Sequence, residues 1–353
     1  MRRKALTLVS LLVALAGLAQ AADQPWIVVT LDKLEFTGNL ESWPRYLPNP
    51  LMLASVVGSG GTYQKVAWPA HGWLTIPDEG AAMIPDTEAI PLFALPEEEM
   101  GGRLGIALVF LGNDTDFDWI NRSAGSLLTA MQEVLSQGRP MVGPLGSTTW
   151  IGEPSASDLE SAVAGKYGAN TLVGVFLRYF HSGTYETATY TAEVGDEGHR
   201  VRFQYSVRKV FLPDGLRVRV TLEGIRVVEN GDMMKGEVFV WCRTSPGFTS
   251  GGTLQTTFKR LPGSGHYSLS DGDEKVFATV LFEGAVHPFL YVEIAVWDED
   301  EPSVGDDHDQ LGIFCGLWLP WRLSNLPGGE KLLAIPKSTP SGEVVIFLKL
   351  RLL

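Results

Sequence analysis

The sequence predicts an all-β protein built from two tandem antiparallel β-sandwich modules, the first of which carries a helical insertion. Three observations predict this class: short apolar runs with a period of two, Gly and Pro clusters between the runs, and similarity between the two halves. Many short strands separated by turn signals are typical of a sandwich. The chain has 353 residues, which suits two domains of roughly 100–200 residues each.

The clearest predicted strands lie in the second half. Within residues 216–228, the first eight alternate apolar side chains with Arg, Thr and Glu, which is the period of a half-buried strand. Residues 289–297 alternate in the same way, and residues 276–282 and 344–352 are further strand candidates. Gly and Pro pairs such as Pro246-Gly247 separate these runs.

The first half repeats this plan. Residues 27–39 align with residues 218–230 at an offset of 191, and residues 104–114 align with residues 290–300 at an offset of 186. Val-Thr-Leu and the closing asparagine are identical in the first pair. Because the order of the elements agrees as well, we favour a duplication over chance similarity between generic strands.

The two halves differ between about residues 123 and 180. Residues 126–135 have apolar side chains on one helical face, and residues 159–163 begin a second helix. We therefore predict a first module at residues 22–213, with a helical insertion at about 123–180. The second module is predicted at residues 214–353, after a Pro-Asp-Gly turn.

The first residues of the chain have the pattern of an export signal. Three basic residues, a short apolar run and an Ala-x-Ala site predict a secretory signal peptide at residues 1–21. The apolar run is shorter than the roughly 20 residues that span a bilayer. We expect a secreted or periplasmic protein, and an uncleaved N-terminal anchor is the alternative.

An acidic loop follows one of the predicted strands of the second half. Residues 297–312 read WDEDEPSVGDDHDQLG and contain seven carboxylates in sixteen residues. Carboxylates at this density repel one another unless a hard cation such as Ca²⁺ neutralises them. Asp298 and Asp300 are two residues apart, so both project to the same side of an extended backbone. Three more carboxylates return from the other arm of the loop: Asp306, Asp307 and Asp309.

A second loop is expected to contribute ligands, because the loops at one end of a sandwich cluster together. Glu229, Asp232 and Glu237 follow the first strand of this half and are the natural donors. Apolar residues at the tips of the two loops would suit shallow insertion into lipid, although single exposed apolar residues are ordinary. The predicted membrane contacts are Met233, Met234 and Val304.

From about residue 215 to residue 353 the chain resembles a C2 domain, the calcium- and phospholipid-binding β-sandwich. The most specific match is V-W-D-E-D followed by H-D-Q-L-G, which is similar to the third binding loop of that family. This loop is longer than usual, so either Asp306 or Asp307 is a candidate for the third role. The ligands that the resemblance implies in this loop are Asp298, Asp300 and Asp309.

In the family's first binding loop, the resemblance implies Asp232 as the first ligand, and Glu237 stands where a second Asp is usual. It implies Ca²⁺-dependent attachment to anionic phospholipid or to another anionic surface. The alternative is a structural or adhesive exoprotein in which Ca²⁺ only stabilises the fold and the partner is protein or glycan. The corresponding loop of the first half carries Asp114, Asp116 and Asp118, and we predict a degenerate, structural copy there.

Composition and motifs weaken other classes of function. The formal net charge is −13 without basic clusters, which argues against nucleic-acid binding. The sequence has no H-E-x-x-H zinc motif, no G-x-S-x-G elbow and no phosphate loop, so no enzyme is predicted. A hydrolase that uses the same carboxylates is the third alternative. Cys242 and Cys315 allow either one disulfide or two buried thiols.

Overall fold

The computed structural model describes most of the chain from residue 25 onward. Every pairing between its strands is antiparallel. The prediction of an all-β fold is therefore confirmed. The described residues are 25–38, 49–70, 74–76, 88–112, 124–142, 148–167, 171–181, 185, 187–195, 199–211, 215–230, 236–299, 308–339 and 341–353.

Two sheets form the sandwich of the first module. Sheet A consists of β1 (Pro25–Gly38), β5 (Ile90–Pro96), β10 (Ala188–Gly195) and β11 (His199–Phe211). Sheet B consists of β2 (Asn49–Ser59), β3 (Thr62–Trp68), β4 (Leu74–Ile76), β6 (Arg103–Gly112) and β9 (Thr171–His181). The strand order is β10-β11-β1-β5 in sheet A and β3-β2-β6-β9 in sheet B, where β4 pairs with β2.

Two sheets also form the sandwich of the second module. Sheet C consists of β12 (Arg217–Glu229), β16 (Glu274–Ala285), β19 (Glu330–Thr339) and β20 (Gly342–Leu352). Sheet D consists of β13 (Gly236–Ser245), β14 (Thr257–Leu261), β15 (Tyr267–Leu269), β17 (Leu290–Glu299) and β18 (His308–Trp318). The strand order is β16-β12-β20-β19 in sheet C and β14-β13-β17-β18 in sheet D, where β15 pairs with β13.

The two modules share one strand order. The strands β1, β5, β10 and β11 of sheet A correspond to β12, β16, β19 and β20 of sheet C. With this replacement the order of sheet A becomes β19-β20-β12-β16, which is the order of sheet C read from its other edge. Sheets B and D correspond in the same way, with β6 in the place of β17 and β9 in the place of β18. The segments that align in sequence, residues 27–39 and 218–230, therefore begin at equivalent strands, β1 and β12. Two tandem sandwich modules, as predicted, are the architecture of the chain.

The helical insertion covers the outer face of sheet B. On β2, Leu51 and Leu53 face the interior of the sandwich, whereas Met52 belongs to a separate core cluster with Leu127 and Met131 of the first helix. Burying such side chains contributes roughly 1.5–3 kcal/mol each, so the sandwich stabilises the insertion. The insertion consists of α1 (Ala124–Leu135), β7 (Arg139–Val142), β8 (Thr148–Ile151) and α2 (Ala156–Val163).

The insertion ends earlier than the sequence predicted. Its predicted end was about residue 180, but Thr171–His181 forms β9, which pairs with β6 along its length. Val173 and Phe176 pack toward the interior of the sandwich, while Val175 and Leu177 pack toward the helices. A strand that is covered on both faces has an apolar run without clean alternation. The alternation of apolar and polar residues therefore does not predict such a strand.

The second module packs against the first through the outer face of sheet D. One core cluster joins buried side chains of both modules, including Trp68 and Phe93 of the first and Tyr291 and Trp297 of the second. The even-numbered side chains of β17, from Leu290 to Val296, face the interior of the second sandwich instead. Both faces of β17 are therefore buried.

A buried ion pair lies at this contact. Arg243 on β13 and Glu293 on β17 form a salt bridge, and their side chains are only 7% and 4% exposed. The Glu293 carboxylate accepts the Ala70 N–H at 2.7 Å and the Tyr291 hydroxyl at 2.8 Å. Arg243 donates to the Ala67 carbonyl at 3.4 Å. Backbone groups of the first module thus hydrogen-bond to both members of a charge pair in the second.

Glu88, just before β5, makes a second polar contact between the modules. Its carboxylate accepts the Cys315 N–H at 3.0 Å and pairs with the Lys337 ammonium group. The Ala89 N–H donates to the Cys315 carbonyl at 3.1 Å, and the Trp68 indole N–H contacts the Cys315 sulfur at 3.1 Å. Burial raises the pKa of Glu88, although Lys337 opposes the shift. These groups cover the edge of β18 near Cys315.

The two cysteines are buried free thiols. Cys242 belongs to the interior cluster of the second module, and Cys315 belongs to the cluster that joins the modules. β17 lies between their strands, with Ile294 opposite Cys242 and Glu293 opposite Cys315. The thiols therefore lie on opposite faces of sheet D, two strands apart, and a disulfide would require backbone movement. Of the two alternatives that the sequence left open, the structure has the buried thiols.

Candidate calcium-binding end of the second module

The strand ends that flank the two predicted binding loops lie side by side. In sheet D, Val238 of β13 is opposite Asp298 of β17, and Asp298 is opposite Asp309 of β18. The first loop joins β12 to β13, and the acidic loop joins β17 to β18. Both loops therefore leave from one end of the second sandwich, which is the arrangement that a shared cation site needs.

Asp298 is built into the end of the sandwich. Its side chain is buried, with 1% exposure, and its Oδ1 accepts the Glu237 backbone N–H. Its Oδ2 lies against Gly236, where an added Cβ would be 2.3 Å from that oxygen. Glycine at the start of β13 therefore leaves the space that the carboxylate occupies. The backbone of β13 thus fixes the position of Asp298.

Asp309 shares a face of the sheet with Asp298, because directly opposite residues in an antiparallel ladder point the same way. Ser341, in the turn between β19 and β20, donates its hydroxyl to Asp309 Oδ1 at 2.8 Å. The shared face therefore looks toward sheet C. Like charges directly opposite each other are destabilising, so a bound cation would relieve repulsion between these carboxylates.

The sequence-based prediction missed Asn230, which lies beside this pair, and Asp271, which accepts the backbone N–H of Asn230. Asn230 directly follows β12, is 2% exposed, and donates its backbone N–H to Asp271 Oδ1 at 3.0 Å. Its Nδ2 would lie 3.0 Å from a Cβ on Gly236, which places the amide beside the Asp298 carboxylate. The sequence signal that could have identified Asn230 is the asparagine that ends both aligned segments, at positions 39 and 230. Asp271 comes from the turn between β15 and β16 and gives no comparable signal.

Glu237 does not join this arrangement through its side chain. Val238 shares a face with Asp298, so the preceding carboxylate lies on the opposite face of β13. There Glu237 Oε1 lies 3.3 Å from His266 Nε2, and Glu299 Oε2 lies 4.0 Å from His266 Nδ1. In this structure only the backbone N–H of Glu237 reaches Asp298, and a ligand role for its carboxylate stays a prediction.

The other predicted site residues lie outside the part of the chain that the structure describes. Within the described part, no group of three or more His, Cys, Asp or Glu side chains could hold a metal ion. The described residues therefore contribute two carboxylates, those of Asp298 and Asp309, and the full ligand set stays a prediction. The residues outside are Asp232, Met233, Met234, Asp300, Val304, Asp306 and Asp307 in the second module and Asp114, Asp116 and Asp118 in the first.

The helices of the described residues are few and short. Three helices longer than a single 3-10 turn occur there: α1, α2 and the short α3 (Pro320–Ser324). None of the described helices combines the length and the apolar character needed to cross a bilayer.

No protein-family model matches the chain, and no curated protein sequence matches it. Among solved structures, the chain is similar to the calcium-bound pair of tandem C2 domains of Extended-Synaptotagmin 2, at 10% identity over 94% of this chain and 96% of that one, with a TM-score of 0.26. It is similar at 9% identity and a TM-score of 0.25 to a longer structure of the same protein, which also contains the SMP domain, and it covers 56% of that chain. At such TM-scores these likenesses carry no argument about the fold, the ligands or the partners of this chain. The architecture of two antiparallel sandwiches rests on the chain's own strand order.

Proposed function

We propose that this protein attaches to phospholipid membranes, or to another anionic surface, through Ca²⁺ held at the acidic end of its second module. The observation that carries the proposal is the pairing of Asp298 with Asp309. Two carboxylates share one face of sheet D, at the strand ends from which an acidic loop leaves. A role in structural hydrogen bonds alone would not explain the five further Asp and Glu residues of that loop.

The chemistry follows from the donor set. Ca²⁺ takes about 6–8 oxygen ligands and tolerates both carboxylates and waters. Asp298 and Asp309 supply the inner carboxylates, and phosphate oxygens of a lipid would complete the coordination on the solvent side. The protein has a net charge of −13, so a bound cation would also reverse the local repulsion from an anionic surface. The further ligands that we propose are Asp232, Asp300, and either Asp306 or Asp307.

Two further parts of the proposal come from the sequence. Met233, Met234 and Val304 are proposed to insert shallowly into the lipid interface beside the cation. The signal-like residues 1–21 support export, after which the mature chain would be periplasmic or secreted. In an extracellular-like medium, a weak site with a Kd of about 10⁻⁴–10⁻³ M suffices. We propose no catalytic activity.

A stabilising role for the cation is the second candidate function. Asp298 accepts a hydrogen bond from the backbone of β13, and Asp309 accepts one from the β19–β20 turn. Asp298 therefore connects β17 to β13 within sheet D, and Asp309 connects sheet D to sheet C. Neutralising them would stabilise the end of the sandwich even without lipid, in an adhesive or structural exoprotein whose partner is protein or glycan.

Vesicle sedimentation tests the proposal. The mature protein is mixed with phosphatidylcholine–phosphatidylserine vesicles, at about 10⁻³ M Ca²⁺ or in excess chelator, and the calcium-dependent increase in bound protein is measured. We expect Asp298→Asn to abolish this increase. The matched control is Glu237→Gln, whose carboxylate lies on the other face, and it should keep the increase.

The outcomes separate the two candidates. If Asp298→Asn keeps the calcium-dependent increase, the proposed site is wrong. If the parent shows no increase but Ca²⁺ raises its Tm, and Asp298→Asn removes that rise, the membrane function is refuted and the stabilising role is supported.

A further inference from the structure

The insertion of the first module takes the chain position that the acidic loop has in the second. It joins β6 to β9, which are the counterparts of β17 and β18. Its helices cover sheet B, but β7 and β8 form a separate two-stranded sheet. An isolated hairpin is marginally stable in water, so the surroundings of this one are informative.

The hairpin exposes apolar side chains on both of its faces. Met141 is 50% exposed, Ile151 is 49% exposed, and Val142 is 73% exposed. The register pairs Met141 with Thr149 and Val142 with Thr148. Because side chains alternate along a strand, Met141 and Ile151 lie on one face and Val142 lies on the other. A protein that docks on a sheet covers one face, whereas a lipid phase surrounds both.

The charge of the hairpin also differs from that of the chain. The chain contains 41 Asp and Glu residues, yet residues 138–152 contain none, and Arg139 is the one charged residue among them. A positively charged segment without carboxylates complements an anionic bilayer surface. An anionic bilayer therefore repels this segment less than it repels the rest of this acidic chain.

The base of the hairpin is anchored to the body of the first module. The Arg103 guanidinium lies 4.4 Å from the centroid of the Trp150 ring and pairs with Glu153 at 3.3 Å. Arg103 also donates to the Leu135 carbonyl at the end of α1, at 2.7 Å. The His181 ring stacks on Trp150 with a centroid separation of 6.5 Å. These contacts fix the hairpin at the start of β6, and Trp is a side chain that favours the interface between membrane and water.

We propose that the β7–β8 hairpin is a calcium-independent lipid contact of the first module. Met141, Val142 and Ile151 enter the interfacial layer of an anionic bilayer, and Arg139 meets the headgroups. The insertion is shallow, because the outer edges of a two-stranded sheet need water or headgroups for their backbone hydrogen bonds. The contact shares its lipid partner with the proposed function, but it lies on another module and needs no cation.

An environment-sensitive dye tests the contact directly. Cys242 and Cys315 are buried, so a single introduced cysteine can be labelled selectively with NBD. We expect the emission of Val142→Cys-NBD to shift to the blue when phosphatidylcholine–phosphatidylserine vesicles are added in excess chelator. The matched control is Val276→Cys-NBD on β16, where the valine is 67% exposed, and its emission should not shift.

A second pair of variants measures the strength of the contact. In chelator, Val142→Asp should lower the vesicle partition coefficient by about tenfold, and Val276→Asp should leave it unchanged. Equal partition of the parent and Val142→Asp would overturn the proposal. So would an emission shift at Val142→Cys-NBD that grows with protein concentration and needs no vesicles, since a second copy would then cover the hairpin. Asp298→Asn should keep the chelator-resistant binding, which separates this contact from the calcium site.

Discussion

Replacing Glu293 by Gln should weaken the contact between the two modules. The change keeps the shape of the side chain and removes the charge that faces Arg243. Burial lowers the pKa of Arg243, but Glu293 and Tyr291 together more than offset this effect and raise the pKa above its ordinary value, so the guanidinium is charged in the folded protein. The variant therefore leaves a positive charge in a site where its side chain is 7% exposed.

The magnitude follows from this burial. Removing one partner of a buried ion pair costs about 3–5 kcal/mol, because the other charge stays buried without compensation. The Gln carbonyl can still accept from the Ala70 N–H, which now bonds to the Glu293 carboxylate at 2.7 Å. We therefore expect a loss of about 3 kcal/mol in the free energy of unfolding, at the lower end of that range.

Urea unfolding, followed by tryptophan fluorescence, measures this loss. Trp68 and Trp297 belong to the cluster that joins the modules, so the emission should report their separation. We expect a lower urea midpoint for Glu293→Gln and a transition that separates into two steps as the modules uncouple. The matched control is Glu283→Gln, which breaks an exposed pair with Arg219 and should not move the midpoint measurably. An equal shift in the two variants would refute the reasoning.

Two further predictions concern buried groups at or near the same contact. Burial raises the pKa of Cys242 to about 12 and that of Cys315 well above its ordinary value. A thiol reagent at pH 8 should therefore find no reactive thiol in the folded protein, and two after unfolding without reductant. Two unreactive cysteines in the unfolded chain would instead reveal a disulfide. Burial raises the pKa of Glu88 above its ordinary 4.5, so the folded protein binds this proton more tightly and stability should fall as the pH rises from 4.5 through the raised value. Glu88→Gln should remove that slope from a series of urea midpoints, and an unchanged slope would contradict the assignment to Glu88.

Alternation in the sequence predicted the strands because one face of most of them is buried. Val218, Val220 and Leu222 alternate with polar residues on β12, and the structure buries all three. The duplication was visible for the same reason, since equivalent strands keep equivalent patterns. β9 was missed because both of its faces are covered, so its apolar residues do not alternate.

The alternation of apolar and polar residues did not predict the contact between the modules. Arg243 and Glu293 alternate with core residues on their strands, so each has the pattern of a solvent-facing side chain. Alternation reports which residues share a face, but it does not report what covers that face. The ion pair depends on backbone groups more than 170 residues away in the chain, at Ala67 and Ala70.

The candidate site shows a similar limit. The spacing of Asp298 and Asp309 around a loop predicted that they meet, and the β17–β18 ladder places them opposite each other. Glu237 was chosen by its position in a family pattern, but the alternation of β13 turns its carboxylate toward His266. Asn230 was overlooked because an amide after a strand is also an ordinary turn residue.

Calorimetric titration with Ca²⁺ tests the central claim most directly. The mature protein is compared with Asp298→Asn/Asp309→Asn and with Glu237→Gln. We predict a heat of binding in the parent and in Glu237→Gln, and none in the double variant. The absence of any heat and any thermal shift in the parent, up to about 10⁻³ M Ca²⁺, would contradict the calcium site and the membrane function proposed from it.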